Sequence, residues 1–137
     1  MPDDPADLLH RGVASLLAGD MAGFVDLYAD DAVLELPFAP PGAPRRLEGR
    51  AAIHEYLRDY PNRLDVREIT DTITHRTDDP GTIIVEFTAN GLVVPTGRPY
   101  QARYVTVLST RNGRIQHHRD YWNPLAFQPE GGEGGER

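Results

Sequence analysis

His118 and Asp120 stand two residues apart near the end of the chain, with Arg103 on the segment before them. Asn112-Gly113 lies between two apolar-rich runs and is the two-residue hairpin signal that tolerates positive φ at both positions. With Arg111 opposite Arg114, an unbroken register sets Val107 against His118, Val105 against Asp120 and Arg103 against Trp122, all on one face. The other face then carries Tyr104, Thr106, Leu108, His117, Arg119 and Tyr121. The two valines and the tryptophan are the better core material, so that set is expected inside, with His118 and Asp120 on an apolar wall. Burial favours the neutral form of each. Residues at i and i+2 of a strand are roughly 7 Å apart, near enough to share a proton or flank a small substrate, as acid–base chemistry requires. Arg103 is diagonal to Asp120 and within reach of it. The plainer alternative is a satisfied ion pair whose network His118 completes.

The hairpin needs a frame. Asp4-Pro5 reads as a helix cap and first position, followed by Leu9, Val13, Leu16 and Leu17 on one stripe, a Gly19 stop and an Asp20 cap for a short second helix with Phe24, Val25, Leu27 and Tyr28. Residues 32–38 alternate as a strand with Leu34, Leu36 and Phe38 on one face. Ala39–Arg46 holds three prolines and a glycine and is expected to be a loop at a pocket rim. Ile53, Tyr56, Leu57 and Tyr60 predict a third helix stopped by Pro61. Beyond residue 64 the period becomes two, with a parity slip that suggests a β-bulge near Arg67-Glu68. Strands follow at 82–89, 100–110 and 114–122. Helices first and strands after mean an α+β fold. Tyr28 and Tyr56 are candidate pocket hydroxyls, or core aromatics whose hydroxyls reach solvent; Leu36, Phe38, Val105 and Trp122 are the expected apolar lining.

Composition narrows the function classes. The 137 residues fit one domain, assigned to 1–128, with an acidic glycine-rich tail at 129–137. The chain has no cysteine, which excludes disulfides and thiol chemistry. A net charge of −7 without a basic cluster argues against nucleic acid and anionic membranes. No apolar run approaches a bilayer span, and the acidic start is unlike a signal peptide, so a cytoplasmic location is expected. The five histidines lack ligand spacing, and adjacent His117 and His118 point to opposite faces, so no metal site is expected; His54 and His75 read as surface residues.

Ala18-Gly19-Asp20, Leu27 through Val33, Gly49 through Ile53, Asn112 through Ile115, and Arg119-Asp120-Tyr121-Trp122-Asn123-Pro124-Leu125 together resemble the SnoaL-like branch of the nuclear-transport-factor-2-like superfamily, which includes polyketide cyclases. The resemblance implies a cone-shaped α+β barrel, with three N-terminal helices on a strongly curved antiparallel sheet around a pocket. It also implies departures. Where ketosteroid isomerases carry their base, this chain has Leu36; their tyrosine falls at Gly12 and their second acid at Val105 or Val107. Of the Asp–Arg–Asp set of limonene-type epoxide hydrolases, Arg103 and Asp120 match two members and Val105 replaces the third. Asp120 does match the last-strand acid of SnoaL-type cyclases.

The leading expectation is therefore a cofactor-independent isomerase, cyclase or dehydratase acting on a small apolar carbonyl compound, with Asp120, His118 and Arg103 as the catalytic set. The alternatives are a non-catalytic binder of the same fold and a structural dimer whose pocket is filled by side chains. A homodimer through the outer sheet face is expected, because Tyr104, Leu108 and Tyr121 there are too apolar to be left wet.

Overall fold

The computed structural model describes residues 4–127, so the stretch 129–137 read as a tail lies outside it. Asp4 caps α1 (Pro5–Ala18) by accepting the Ala6 N–H at 3.0 Å, and Pro5 begins the helix where its missing N–H is no loss. Gly19 ends it at φ 72, a left-handed conformation that favours a residue without Cβ. Asp20 then caps α2 (Met21–Val25) through Gly23 N–H at 2.9 Å.

The first strand, β1 (Tyr28–Glu35), starts earlier than its alternation suggested, because Tyr28 pairs with Ile115. A short β2 (Arg46–Glu48) leads into α3 (Arg50–Leu57). The single stripe expected to reach Tyr60 is broken: α3 ends at Leu57, and Pro61 helps to start a separate turn, α4 (Tyr60–Arg63), instead of stopping a helix.

Four long strands follow: β3 (Leu64–Arg76), β4 (Thr82–Val93), β5 (Arg98–Arg111) and β6 (Arg114–Trp122), closed by a 3-10 turn at Pro124–Phe127. Val66 pairs with Gly91 and Glu68 with Asn90, so Arg67 is an extra residue at the expected bulge; a second irregularity lies between Thr70 and Ile73. Such insertions bend a strand. The six strands lie in the order β2-β1-β6-β5-β4-β3, with β1 and β6 parallel and every other pair antiparallel. The sheet is curved but open, with β2 and β3 as its edges, and not a closed barrel. Its inner face packs on the helices through Leu8, Val25, Tyr28, Ile53, Leu108 and Ile115, all nearly inaccessible.

The final hairpin corrects the expected register. Asn112 and Gly113 have φ 54 and 75, and Arg111 pairs with Arg114 as the turn requires. Thr110 then pairs with Ile115 but Ser109 with His117, so Gln116 is a bulge. One extra residue exchanges the faces of β5 relative to β6. His118 now faces Leu108 and Asp120 faces Thr106, while Val105 and Val107 pair with Tyr121 and Arg119 on the outer side. Val105 is exposed and does not line the cavity. Arg103 also lies outside, held by Thr88 Oγ1 and Asp71 O, both at 2.9 Å, and by Glu86 at 3.5 Å. Its expected pairing with Asp120 is therefore wrong. Tyr104 and Leu108, two of the three residues that motivated an outer-face dimer, are buried inside.

Candidate functional site

Between the helices and the inner face of the sheet lies a cavity of about 1320 Å³. A space of that size holds more than a drug-sized molecule, so the reading of a pocket filled by its own side chains does not hold. Its wall is mainly apolar and includes Leu36, Phe38, Tyr56 and Trp122 from the sequence reading, with Phe38 half-exposed at the rim. Tyr28, His118 and Asp120 also line it. The structure thus brings together every expected site residue except Arg103 and Val105.

Asp120 is placed by β6 and held by its β5 neighbour: Thr106 Oγ1 donates to Asp120 Oδ1 at 2.8 Å. The other oxygen, Oδ2, receives no hydrogen bond from the described residues. Burial raises the carboxyl from 3.8 to about 7, against the opposing effect of the Thr106 hydrogen bond. Near neutral pH both protonation states are populated, as a group that must take and return a proton requires. Thr106→Val removes the donor that favours the charged form. We expect the Asp120 titration to move up by about one unit, read by carbon-13 NMR of the carboxyl; an unmoved or lowered midpoint would contradict this account.

His118 is the inner-face neighbour of Asp120, but no hydrogen bond joins them. Its Nδ1 lies 2.7 Å from the hydroxyl of fully buried Tyr28, and the rings stack with centroids 6.0 Å apart. Burial lowers the imidazole to about 4 and raises the Tyr28 phenol, so both are neutral at pH 7. Of the two tautomers, only that with the proton on Nε2 lets Tyr28 donate its hydroxyl proton to Nδ1. Nε2 then has no partner among the described residues and is enclosed. His118 therefore keeps the region beside Asp120 polar and uncharged, and the two do not share a proton.

Three tyrosines that the sequence did not assign to the pocket also belong to the wall: Tyr60, Tyr100 and Tyr104, the last of them expected on the outer face. Each phenol is pushed up, mainly by burial, with Asp120 among the further causes. Tyr100 and Tyr104 hydrogen-bond to each other through their hydroxyls. Tyr60 has no hydrogen-bond partner among the described residues and so can donate to a guest. One signal for this arrangement was in the sequence. On β5 the set Tyr100, Ala102, Tyr104, Thr106, Leu108 carries no charge, whereas the alternate set contains Arg103.

Among the described residues, no three His, Asp or Glu side chains gather where they could hold a metal ion, and no helix is long and apolar enough to cross a membrane.

Residues 9–118 match the model of the SnoaL-like domain. The chain is 40% identical to a Bacillus subtilis protein provisionally called an isomerase, whose crystal structure superposes with a TM-score of 0.88 over 97% of this chain and 94% of that one. A Xanthomonas campestris protein provisionally called a polyketide cyclase has the same fold at 19% identity, with a TM-score of 0.76 over 89% and 92% of the two chains. So does a Mycobacterium tuberculosis protein crystallised with estradiol-17beta-hemisuccinate, at 20% identity and a TM-score of 0.76 over 90% and 96%. With a family model spanning most of its length and a relative of this identity, the chain belongs to the SnoaL-like domain family.

Proposed function

We propose that this protein is a cofactor-independent acid/base enzyme of the isomerase, cyclase or dehydratase type, acting on an apolar carbonyl compound. The observation that carries the reading is the Asp120 carboxyl, fixed at Oδ1 by Thr106 and open at Oδ2, on the wall of a large apolar cavity. In this reading Oδ2 takes a proton from the carbon next to a substrate carbonyl. The electron pair moves onto the carbonyl oxygen, where the Tyr60 hydroxyl donates a hydrogen bond to the enolate. Asp120 then returns the proton to carbon or to a departing hydroxyl. Relatives provisionally called isomerase and polyketide cyclase support the class of reaction, and a fold neighbour crystallised with a steroid ester supports an apolar guest.

The test is proton exchange in heavy water. Apolar ketones that bind the protein should exchange their α-hydrogens measurably faster with it than without it, followed by proton NMR. Bound ketones that exchange at the background rate would defeat the proposal. They would favour a non-catalytic binder, a second reading supported by Leu36 and Gly12 on the cavity wall, where the resemblance to isomerases calls for a base and a tyrosine.

The homodimer also belongs to this proposal, on corrected residues. Ile73, Glu86, Val105 and Tyr121 pair successively across four strands on the outer face, and Ile73 and Val105 are exposed. A monomer in light scattering would contradict it.

A further inference from the structure

We propose that the natural guest is an apolar molecule bearing one oxyanion group, a carboxylate or its equivalent, drawn to the cavity mouth by the charges of Arg45 and Arg98. This rests on the reading of the cavity as a ligand site and specifies its ligand. The chain has 21 acidic residues against 14 Lys and Arg, yet the described lining reverses that balance. Asp120 is its one carboxylate, deep on the sheet, while Arg45, Arg63 and Arg98 are exposed at the rim. Arg63 is engaged, 3.9 Å from Asp59 and over the Tyr56 ring at 5.6 Å. Arg45 and Arg98 make no ion pair among the described residues, although Arg46, next in the chain, pairs with Glu35 at 3.3 Å and Glu48 at 2.7 Å.

Their placement is fixed by backbone. Leu36 N–H donates to Arg45 O at 2.8 Å, which ties Arg45 to the end of β1 at the base of the proline-rich loop. Arg98 begins β5 and pairs with Val93 of β4, beside which Val94 N–H donates to Arg63 O at 2.9 Å. Both cations line the same cavity. Unpaired charge beside a low-dielectric cavity attracts an anion, and Asp120 repels one from the interior. Together they orient the guest, with its charged end at the mouth and its apolar body toward Asp120.

Two fluorescent probes separate charge from shape: anilinonaphthalene sulfonate and its uncharged twin, N-phenylnaphthylamine. At low salt the sulfonate should bind about three- to tenfold more tightly, the gain expected of two partly exposed ion contacts. The preference should shrink in high salt and vanish in the R45A/R98A double variant, while the neutral probe binds that variant as before, which also shows that it is folded. Equal affinities for the two probes, or a preference that survives in the double variant, would overturn the proposal. Failure of both probes to bind would remove the cavity reading and this proposal with it. Loss of α-hydrogen exchange with the anion preference intact would touch only the catalytic reading.

Discussion

Asp120→Asn should lower turnover of any substrate by a factor of about 10² to 10⁴, the usual contribution of a positioned general acid–base. The substitution keeps the shape of the side chain and its capacity to accept from Thr106 at Oδ1, so binding should change little and the loss should fall on kcat. The pH profile sharpens the expectation. If proton abstraction limits the rate, wild-type activity should rise through about pH 7, where the carboxyl ionises, because only the carboxylate accepts a proton. The residual activity of the variant should show no step there. His118→Asn, by contrast, should leave the step in place, since the imidazole is neutral above about pH 4 and does not supply it. An unchanged kcat in Asp120→Asn would dismiss Asp120 as the acid/base and assign the proton transfer to another group.

The legibility of this site divides along a physical line. Local signals were sufficient where one residue's conformation decides the outcome: Asp4 and Asp20 as caps, Gly19 at positive φ, Asn112-Gly113 as the turn and the bulge at Arg67. His118 and Asp120 also point inward as expected. The faces of β5 were misassigned because Gln116 is a bulge whose cause is not local. Ile115 must be buried against Tyr28, its N–H donating to Leu27 O at 2.8 Å, and His118 must pair with Leu34 on the same strand. Both positions face inward on β6 yet are three residues apart, which an unbroken strand cannot place on one face, and their β1 partners lie more than eighty residues away along the chain. A count outward from the turn cannot contain that information. Arg103 was the contrary local clue, since an unpaired arginine is a poor inner-face residue. On an unbroken register the other face would have carried Arg119 with Tyr104 and Thr106, so an arginine fell on either side and the two valines and Trp122 decided the face.

The same burial that tunes the site should be readable in stability without any substrate. Asp120 is raised from 3.8 to about 7 on folding, so the folded state holds the proton more tightly, and stability falls as pH rises from about 4 to 7. His118 is lowered from 6.5 to about 4, so the unfolded state holds its proton more tightly, and stability rises with pH from about 4 to 6.5. The two slopes oppose each other over nearly the same window and largely cancel in the wild-type protein. Each single substitution exposes the other. Relative to wild type, Asp120→Asn should gain stability progressively between about pH 4 and 7 and then level off, by about 2–4 kcal/mol in all. His118→Asn should be less stable at neutral pH, because the smaller side chain gives up the ring stacked on Tyr28 inside the wall. That deficit should narrow by about 2–3 kcal/mol as pH falls from 6.5 to 4. Urea unfolding of the three proteins at a series of pH values measures both difference curves. Curves parallel to the pH axis would mean that neither group is desolvated, and a cavity wall with an ordinary carboxylate has no reason to hold its proton near neutrality.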